Sequence, residues 1–574
     1  MTEPVTEPRR AVVPGPFELE SSRLGALPVI DHFLERIDLP GMLARYLPAR
    51  DARTSLAAAT VIGVLVRNLC VEREPLYGLA GWASTFEPRL LGLEPGQGML
   101  LNDDRVGRAL DQLFDADRGS LLCGLVLHAI REFKLDTGQL HNDSTSIVLH
   151  GNYSNADGRE RSGKPTVAAA RGHSKDHRPD LKQLVLILTV TADGAVPLCH
   201  RLAAGNTQDE QTHIATWDGL CVLAGRAGFL YVADCKLCTR EQMAHIDSNG
   251  GRFVTVLPRG RKEDRFLRDW MHTNHPDWTE ADRRAAIRDS DPDEVWRTTP
   301  APIPSVEGYR IVWVHSTIKL RLDEQARHDH IARATAALQG LNIRLESKRC
   351  RFHDSAAVKA AADQALAKHN CTQLLNIKIS ERTDEWTRQE SRGEYRPLRQ
   401  RKITRQRFAI SWEIEQQALG RDTAPDGCFP LITNDRTLTD AELLNAYRYQ
   451  PNLEKRHHQL KTVHDAAPVT LKSPSRIEAL FACHFIALLC CCLIERELRT
   501  AMSDHQITEL PLYPEDRSCT TPTATRILDH LAPLQRHHLT HNHQPLQTFE
   551  PKLNPLQAQL LNLLGVPHTA YTNT

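Results

Sequence analysis

The sequence predicts an α/β protein, α+β in its inserted part, in which helices flank a mixed β-sheet and an inserted subdomain interrupts it. A helical N-terminal domain precedes the sheet. Three observations predict this fold class. Residues 23–138 carry helical apolar patterns without a strand-like run, residues 139–257 alternate strands with helices, and residues 258–427 break that alternation with charged loops. At 574 residues, the chain has room for several domains of about 150 residues each.

Composition and charge are those of a soluble globular protein. Hydrophobic residues make up 41% of the chain, and 71 basic residues balance 71 acidic ones. Zero net charge argues mildly against a chain that is basic throughout, although it allows a local basic stripe. The 14 cysteines are not spaced as a disulfide framework, and the N-terminus has no apolar signal segment. We therefore expect a reducing, cytoplasmic location.

The longest apolar run, "ALFACHFIALLCCCLI" at 479–494, raises the question of a membrane span. It is 16 residues long and contains His484. A membrane-spanning helix needs roughly 20 apolar residues. We therefore predict a buried core helix and no membrane partner.

From residue 139 the pattern becomes one of strands. "LHNDSTSIVLHG" (140–151) favours a strand, and "QLVLILTVTADGAVPLCHRLAAG" favours two strands joined by a hairpin at Asp193-Gly194. "GFLYVADCK" and "RFVTVLPR" favour two more, separated by helices. The order β-β-β-α-β-α-β predicts a mixed sheet covered by helices. The predicted regions are a disordered arm (1–22), a helical N-terminal domain (23–138), the first part of the sheet domain (139–257), an inserted α+β subdomain (258–427), the second part of the sheet domain (428–501) and a helical tail (502–574).

Three acids on separate elements form a candidate site. Asp143 lies near the start of an apolar strand, Asp234 follows another strand, and Glu454 lies on a helix after the insertion. Asp is rare in strands, and a buried carboxylate needs a partner. Carboxylates suit Mg²⁺, and two such ions about 4 Å apart can activate water and stabilise the leaving oxygen of a phosphodiester. A single strand-end Asp is more often a turn former, so spacing alone does not define the site.

Residues 139 to about 500 resemble the DDE transposases of bacterial insertion sequences. The matching stretches are "HNDST", "ADGAVPLCHRLAAGNTQDE", "YVADCKL" and "YRYQPNLEKRHHQLK". The last is similar to the family signature Y-x2-R-x3-E-x6-K, with Gln450 in the place of the arginine. The stretch "LPVIDHFLERIDLP…LLNDDRVGRALDQLFD" also resembles the helical leader of one branch of these enzymes. The resemblance implies a catalytic domain with the ribonuclease-H-like fold.

The resemblance also implies the chemistry. Asp143, Asp234 and Glu454 would be the catalytic residues and the ligands of two Mg²⁺ ions, for which Mn²⁺ could substitute. The reaction would be cleavage at the ends of a transposable element and strand transfer into target DNA. The location would be the bacterial cytoplasm, at the nucleoid. Two alternatives stay open: a ribonuclease-H-like nuclease without strand transfer, and an inactive DNA-binding remnant.

The expected partner is double-stranded DNA, as terminal inverted repeats and as target, bound by a homodimer on paired ends. Tyr447 and Lys461 would contact phosphates, and Arg448 or Arg456 could replace the missing signature arginine. The helical N-terminal domain, the insertion, or both would recognise the element ends.

Basic segments give further DNA-binding candidates. Residues 391–407 hold seven basic residues and one acid. This run of positive charge indicates either a surface that binds DNA phosphates or a face that is simply exposed to solvent. Loop 171–182 is a second such candidate. The pair Cys235 and Cys238 lacks the further ligands that zinc needs and is better read as core filling. His457 and His458 could support the site or lie on a solvated face. The DNA-binding candidates within the basic segment are Arg399, Arg401, Arg405 and Arg407.

Overall fold

The computed structural model describes residues 17–572, apart from residues 50–54, 287, 289–290, 348, 391–398, 468 and 542–543. The chain forms two compact units. Unit 1 comprises the described residues up to Phe253 and those from Ala446 onwards, and unit 2 comprises Val254–Asn445.

The first part of unit 1 is mainly helical. Side chains cap two of its helices: Asn102 accepts a hydrogen bond from the amide of Arg105, and Asp117 accepts one from the amide of Ser120. Residues 17–22 were predicted to be disordered, but they form an exposed strand that pairs with a strand of the C-terminal region. The elements are β1 (Phe17–Arg23), α1 (Leu27–Arg36), α2 (Leu39–Tyr46), α3 (Ala58–Val71), α4 (Leu79–Ser84), α5 (Asp103–Asp115) and α6 (Arg118–Glu132).

A mixed sheet follows, in the predicted order of strands and helices. Its elements are β2 (Gln139–Leu149), the short pair β3 (Glu160–Arg161) and β4 (Lys164–Pro165), β5 (Lys182–Thr191), β6 (Pro197–Ala204), α7 (His213–Ala224), β7 (Leu230–Ala233), α8 (Arg240–Ser248) and β8 (Arg252–Val256). The strand order is β6-β5-β2-β7-β8. β5 runs antiparallel to β2 and β6, whereas β7 runs parallel to β2. This arrangement is the ribonuclease-H-like fold, with β2 as its central strand.

Unit 2 is an α+β unit with its own core. Its strands Cys428–Thr433, Arg310–Ser316, Glu294–Pro300 and Thr279–Arg284 are neighbours in that order and antiparallel, and a long two-stranded hairpin packs on two helices. The strand at 428–433 was predicted to return to the sheet domain, and it does pair antiparallel with Val254–Val256 of β8; its other neighbour is Arg310–Ser316 of unit 2. The elements are α9 (Lys262–Met271), β9 (Thr279–Arg284), β10 (Glu294–Pro300), β11 (Arg310–Ser316), α10 (Thr317–Glu346), α11 (Ser355–Lys368), β12 (Leu375–Glu390), β13 (Arg399–Ile414), α12 (Gln416–Thr423), β14 (Cys428–Thr433) and α13 (Asp440–Arg448).

The chain then completes unit 1. The tail was predicted to be helical, but it contains four strands as well as helices. The elements are α14 (Gln450–His458), a π-helical turn (Gln459–Val463), α15 (Pro474–Asp504), β15 (Leu510–Tyr513), β16 (Arg517–Cys519), α16 (Ala524–Asp529), β17 (Gln535–His541), β18 (Gln544–Phe549) and α17 (Pro555–Leu563).

The helix α15 is the core of unit 1. It is long and apolar enough to cross a membrane by length and composition, and 89% of its most apolar window is buried inside the protein. It packs against α3 and α5 on one side and β6 on another. The predicted helical N-terminal domain is therefore not a separate unit, because it shares this core helix with the sheet. All 14 cysteines are free thiols.

Candidate active site

Asp143 lies on the central strand β2 and is half-buried. The Lys175 Nζ lies 3.3 Å from its Oδ1, and the same ammonium donates to the carbonyl of Ser144. β2 is paired on both sides, with Asp143 opposite Leu188 of β5. A carboxylate at this position therefore sits inside the sheet and is balanced by a cation from loop 171–182.

Asp234 follows the neighbouring parallel strand directly. Asn142 of β2 pairs with Ala233, the last residue of β7, so Asp143 and Asp234 are the next residues along two adjacent strands. The Asp234 Oδ1 accepts a hydrogen bond from the amide of Lys236 at 3.0 Å, which caps the short turn after β7. The predicted neighbouring of these two strands is confirmed.

Glu454 lies on α14, which contacts the central strand. Pro451 stands in the first turn of this helix, where its missing amide proton costs no hydrogen bond. The side chain of Gln450, at the position of the signature arginine, is buried against β2. Glu454 itself is exposed on the same helix, one turn further on.

The charges of all three acids affect the pKa of Tyr447. Burial raises the pKa of its phenol, and the charges of Asp234, Cys235, Glu454 and Asp143 raise it further. The phenol therefore lies in the electrostatic field of all three carboxylates. This phenol stays protonated at neutral pH and can donate a hydrogen bond.

His457 approaches Asp143 from the same helix. Its Nδ1 lies 3.8 Å from the Asp143 Oδ2, an apparent ion pair. Burial, with the charges of Lys175 and Lys461, lowers the pKa of this imidazole to about 3. The ring is therefore neutral near pH 7, and its contact with Asp143 is packing rather than charge pairing.

Lys461 stands beside an open cleft. Its Nζ lies 2.8 Å and 3.0 Å from the two carboxylate oxygens of Asp176, and it lies in the π-helical turn that follows α14. Such turns are frequent at functional sites. The cleft is lined by Val148, His150, Asp176, Arg178, Lys461, Thr462, Asp465 and Ala467.

Arg456, predicted to contact DNA, is only 6% exposed, and this burial keeps it from a phosphate. Its guanidinium is buried, 2.7 Å from a carboxylate oxygen of Glu495, and donates to the carbonyls of Gly194 and Ala195. The residue therefore links α14 to α15 and to the β5–β6 hairpin through an ion pair and hydrogen bonds. Arg448, the other predicted substitute, ends α13 and is half-buried.

The predicted basic segment lies in unit 2, and its residues 391–398 fall outside the described residues. Arg405 donates to the carbonyl of Cys350, and Arg407 donates to the carbonyls of Leu345, Glu346 and Ser347. The guanidinium groups of these two arginines are therefore engaged in hydrogen bonds to backbone carbonyls at and beyond the C-terminus of α10. Arg401 is exposed on β13, and Arg399 begins that strand.

The donor set fits a hard cation in its chemistry. Asp143 and Asp234 stand at the same level of adjacent parallel strands, Glu454 lies on the helix that contacts β2, and a cation, the Lys175 ammonium, already lies against Asp143. Within the part of the chain that the structure describes, no three His, Cys, Asp or Glu side chains are grouped closely enough to hold a metal as they stand, Cys235 and Cys238 included. A metal on these acids would take its remaining ligands from water and phosphate.

Sequence reasoning did not identify two residues of this neighbourhood by role. Gln450 was noted only as a departure from the signature, and Lys175 only as a member of a basic loop. Their position beside Asp143 depends on the packing of distant segments, for which a single sequence carries no local signal. For Gln450, the sequence signal was its place in the signature, where the family has an arginine.

Comparison with known proteins gives limited matches. Residues 19–127 match a family described as a domain of unknown function, DUF4277. No curated protein matches the chain. Among solved structures, the cryo-EM structure of a piggyBac transposase synaptic complex with hairpin DNA aligns with a TM-score of 0.33 and 7% identity, over 90% of this chain and 82% of that one.

Proposed function

We propose that this chain is a DDE-type DNA transposase of a bacterial insertion sequence, in the branch with the Y-R-E-K signature. It would cleave DNA at the ends of its element and transfer the freed 3′ ends into target DNA. The observation that carries the proposal is that Asp143 and Asp234 stand at the same level of two adjacent parallel strands, with the helix of Glu454 docked on the strand of Asp143.

The acids support phosphodiester chemistry. Asp143, Asp234 and Glu454 would hold one or two Mg²⁺ ions, which supply charge neutralisation and an activated water when bound. Mn²⁺ would substitute for Mg²⁺. Asp143 lies on the central strand of the sheet and Asp234 directly follows the neighbouring strand, which favours a precisely held site.

The surrounding residues would bind DNA. The protonated phenol of Tyr447 can donate a hydrogen bond to a phosphate oxygen, and Lys461 can supply a positive charge beside the cleft. Asp176 now neutralises Lys461, so a phosphate would have to displace that carboxylate. A homodimer on paired ends is the proposed assembly, and the free thiols support a reducing cytoplasm.

A strand-transfer assay tests the proposal. A linear duplex carrying the DNA that flanks the coding sequence is incubated with the protein, Mg²⁺ and a supercoiled target plasmid. We expect cleavage at the element ends and their covalent joining to the plasmid. Asp143→Asn, which keeps the side-chain shape but removes the charge, is the matched control and should lose both products while still binding the duplex. Cleavage without joining would indicate a nuclease, and neither product from the unaltered protein would indicate an inactive remnant.

A further inference from the structure

Gln450 opens the helix that carries Glu454, and its amide is buried. The side chain is 7% exposed. A buried amide costs free energy unless it is hydrogen-bonded. Here both ends are bonded: Oε1 lies 2.9 Å from the Nδ1 of His141, and Nε2 donates to the carbonyl of Asn142 at 3.2 Å.

Both partners of Gln450 immediately precede Asp143 on β2. The Asn142 carbonyl belongs to the peptide bond that leads into Asp143, so the amide of Gln450 holds that peptide directly. Because Oε1 can only accept, the His141 Nδ1 must carry the proton, and its Nε2 then accepts from Gln139 at 2.8 Å.

The helix meets the strand a second time beyond Glu454. Residues 450, 454 and 457 follow the i, i+4, i+7 spacing and so lie along one face of α14. Gln450 contacts β2 at one end of that face, and His457 contacts Asp143 at the other. Glu454 lies between these two contacts. Its backbone position relative to Asp143 is therefore set by the docking of the helix.

We propose that Gln450 is a positioning residue that fixes Glu454 relative to Asp143, in the place where the family signature has an arginine. The inference rests on the proposed function, since it concerns the same acids. It assigns Gln450 no contact with DNA. The residue acts by joining the helix of one acid to the strand of another.

The test uses Gln450→Leu, which removes both hydrogen bonds with little change in volume. The full-length variant is titrated with Mn²⁺ in the absence of DNA, and the unfolding temperature is followed, since a ligand of the folded state raises it. We expect the half-saturating Mn²⁺ concentration to rise by roughly tenfold, the usual cost of losing a residue that orients metal ligands. In DNA cleavage, kcat should fall while KM for DNA stays unchanged.

Gln557→Leu is the matched control. Gln557 is also buried with both ends bonded, to Asn554 and His530, but it lies on α17 of the C-terminal region. It should lower the unfolding temperature without changing the Mn²⁺ response. If Gln450→Leu behaves in the same way, Gln450 is only structural and the inference is overturned.

Two further variants keep the outcome decisive. Gln450→Asn, one methylene shorter, takes the place of Gln450→Leu if the latter does not fold. Asp143→Asn should abolish the Mn²⁺ response. If Asp143→Asn changes nothing, the metal site and with it the proposed function fail; if only Gln450→Leu changes nothing, the positioning role alone fails.

Discussion

At the scale of single residues, burial separates structural arginines from candidate DNA contacts. Arg456 stands two positions after Glu454, and from the sequence it was a plausible phosphate contact. In the structure its guanidinium is buried with Glu495, whose other carboxylate oxygen accepts from the amide of Ala524. Breaking a buried pair leaves an uncompensated charge, which costs far more than losing a surface contact.

Arg456→Ala should therefore destabilise the protein rather than weaken DNA binding selectively. We expect a loss of about 3–5 kcal/mol in the free energy of unfolding, measured by denaturant titration. The double variant Arg456→Met with Glu495→Leu should recover most of that loss, because neither charge is then left buried alone. A stable Arg456→Ala protein with reduced DNA affinity would contradict the structural role.

At the scale of elements, the β12–β13 hairpin contains the remaining basic candidates. Arg401 of β13 lies directly opposite Arg388 of β12, and both are exposed. Like charges directly opposite each other destabilise a hairpin, and an anion between them would relieve that repulsion. By contrast, Arg407 donates a hydrogen bond to a carbonyl at the end of α10.

Arg388→Gln with Arg401→Gln should flatten the dependence of DNA affinity on salt. Each phosphate contact contributes roughly 0.9 to the slope of log affinity against log salt, so the slope should fall by up to about 1.8. The effect should be equal for element-end DNA and random DNA. Lys378→Gln with Lys402→Gln is the matched control, because it removes the same charge from the same hairpin at positions that lie opposite uncharged residues. Equal slopes for the two double variants would assign this hairpin to solvent.

The elements that the sequence predicted best are those with a strong local period. The apolar runs around Asp143 and Asp234 gave the central strands because buried strands are apolar on both faces. β17, "QRHHLTH", was missed because it is polar and half-exposed, and β1 was missed because its partner lies more than 500 residues away. The basic segment was identified by composition, which does not distinguish Arg407 from Arg401.

At the scale of the whole molecule, unit 1 depends on one apolar helix that contains a buried histidine. Burial and neighbouring His464 lower the pKa of His484 on α15 to about 3. The histidine is neutral in the folded state, whereas in the unfolded chain it titrates near 6.5. Its effect on stability is therefore absent above pH 6.5, and the folded state loses stability as the pH falls below that value.

His484→Phe should therefore stabilise the protein in acid more than at neutral pH. The increase in the free energy of unfolding caused by the substitution should be about 2 kcal/mol larger at pH 5 than at pH 7.5. This figure follows because pH 5 lies about 1.5 units below the pKa of histidine in the unfolded chain. Phe481 already lies 5.9 Å from this ring, ring centre to ring centre, in an apolar environment that suits an aromatic replacement. A difference that is independent of pH would mean that His484 has the same pKa in the folded and unfolded states.

The shared core also explains why the domain limits could be predicted only in part. The helical pattern of residues 23–138 was evident in the sequence, but its packing on α15 depends on contacts across some 400 residues. The same holds for the site. The types of the three acids and the strand positions of Asp143 and Asp234 could be inferred, while the docking of α14 through Gln450 could not.

The central claim is that Asp143, Asp234 and Glu454 act as one unit, and the most direct measurement compares single and combined substitutions. The rate of Mg²⁺-dependent cleavage of DNA carrying the element ends is measured for Asp143→Asn, Asp234→Asn, Glu454→Gln and the triple variant. Groups that act as a unit are strongly non-additive. We expect each single variant to lose several decades in rate, about as much as the triple variant, with DNA affinity retained. Near-normal cleavage by any one of the single variants would contradict the account.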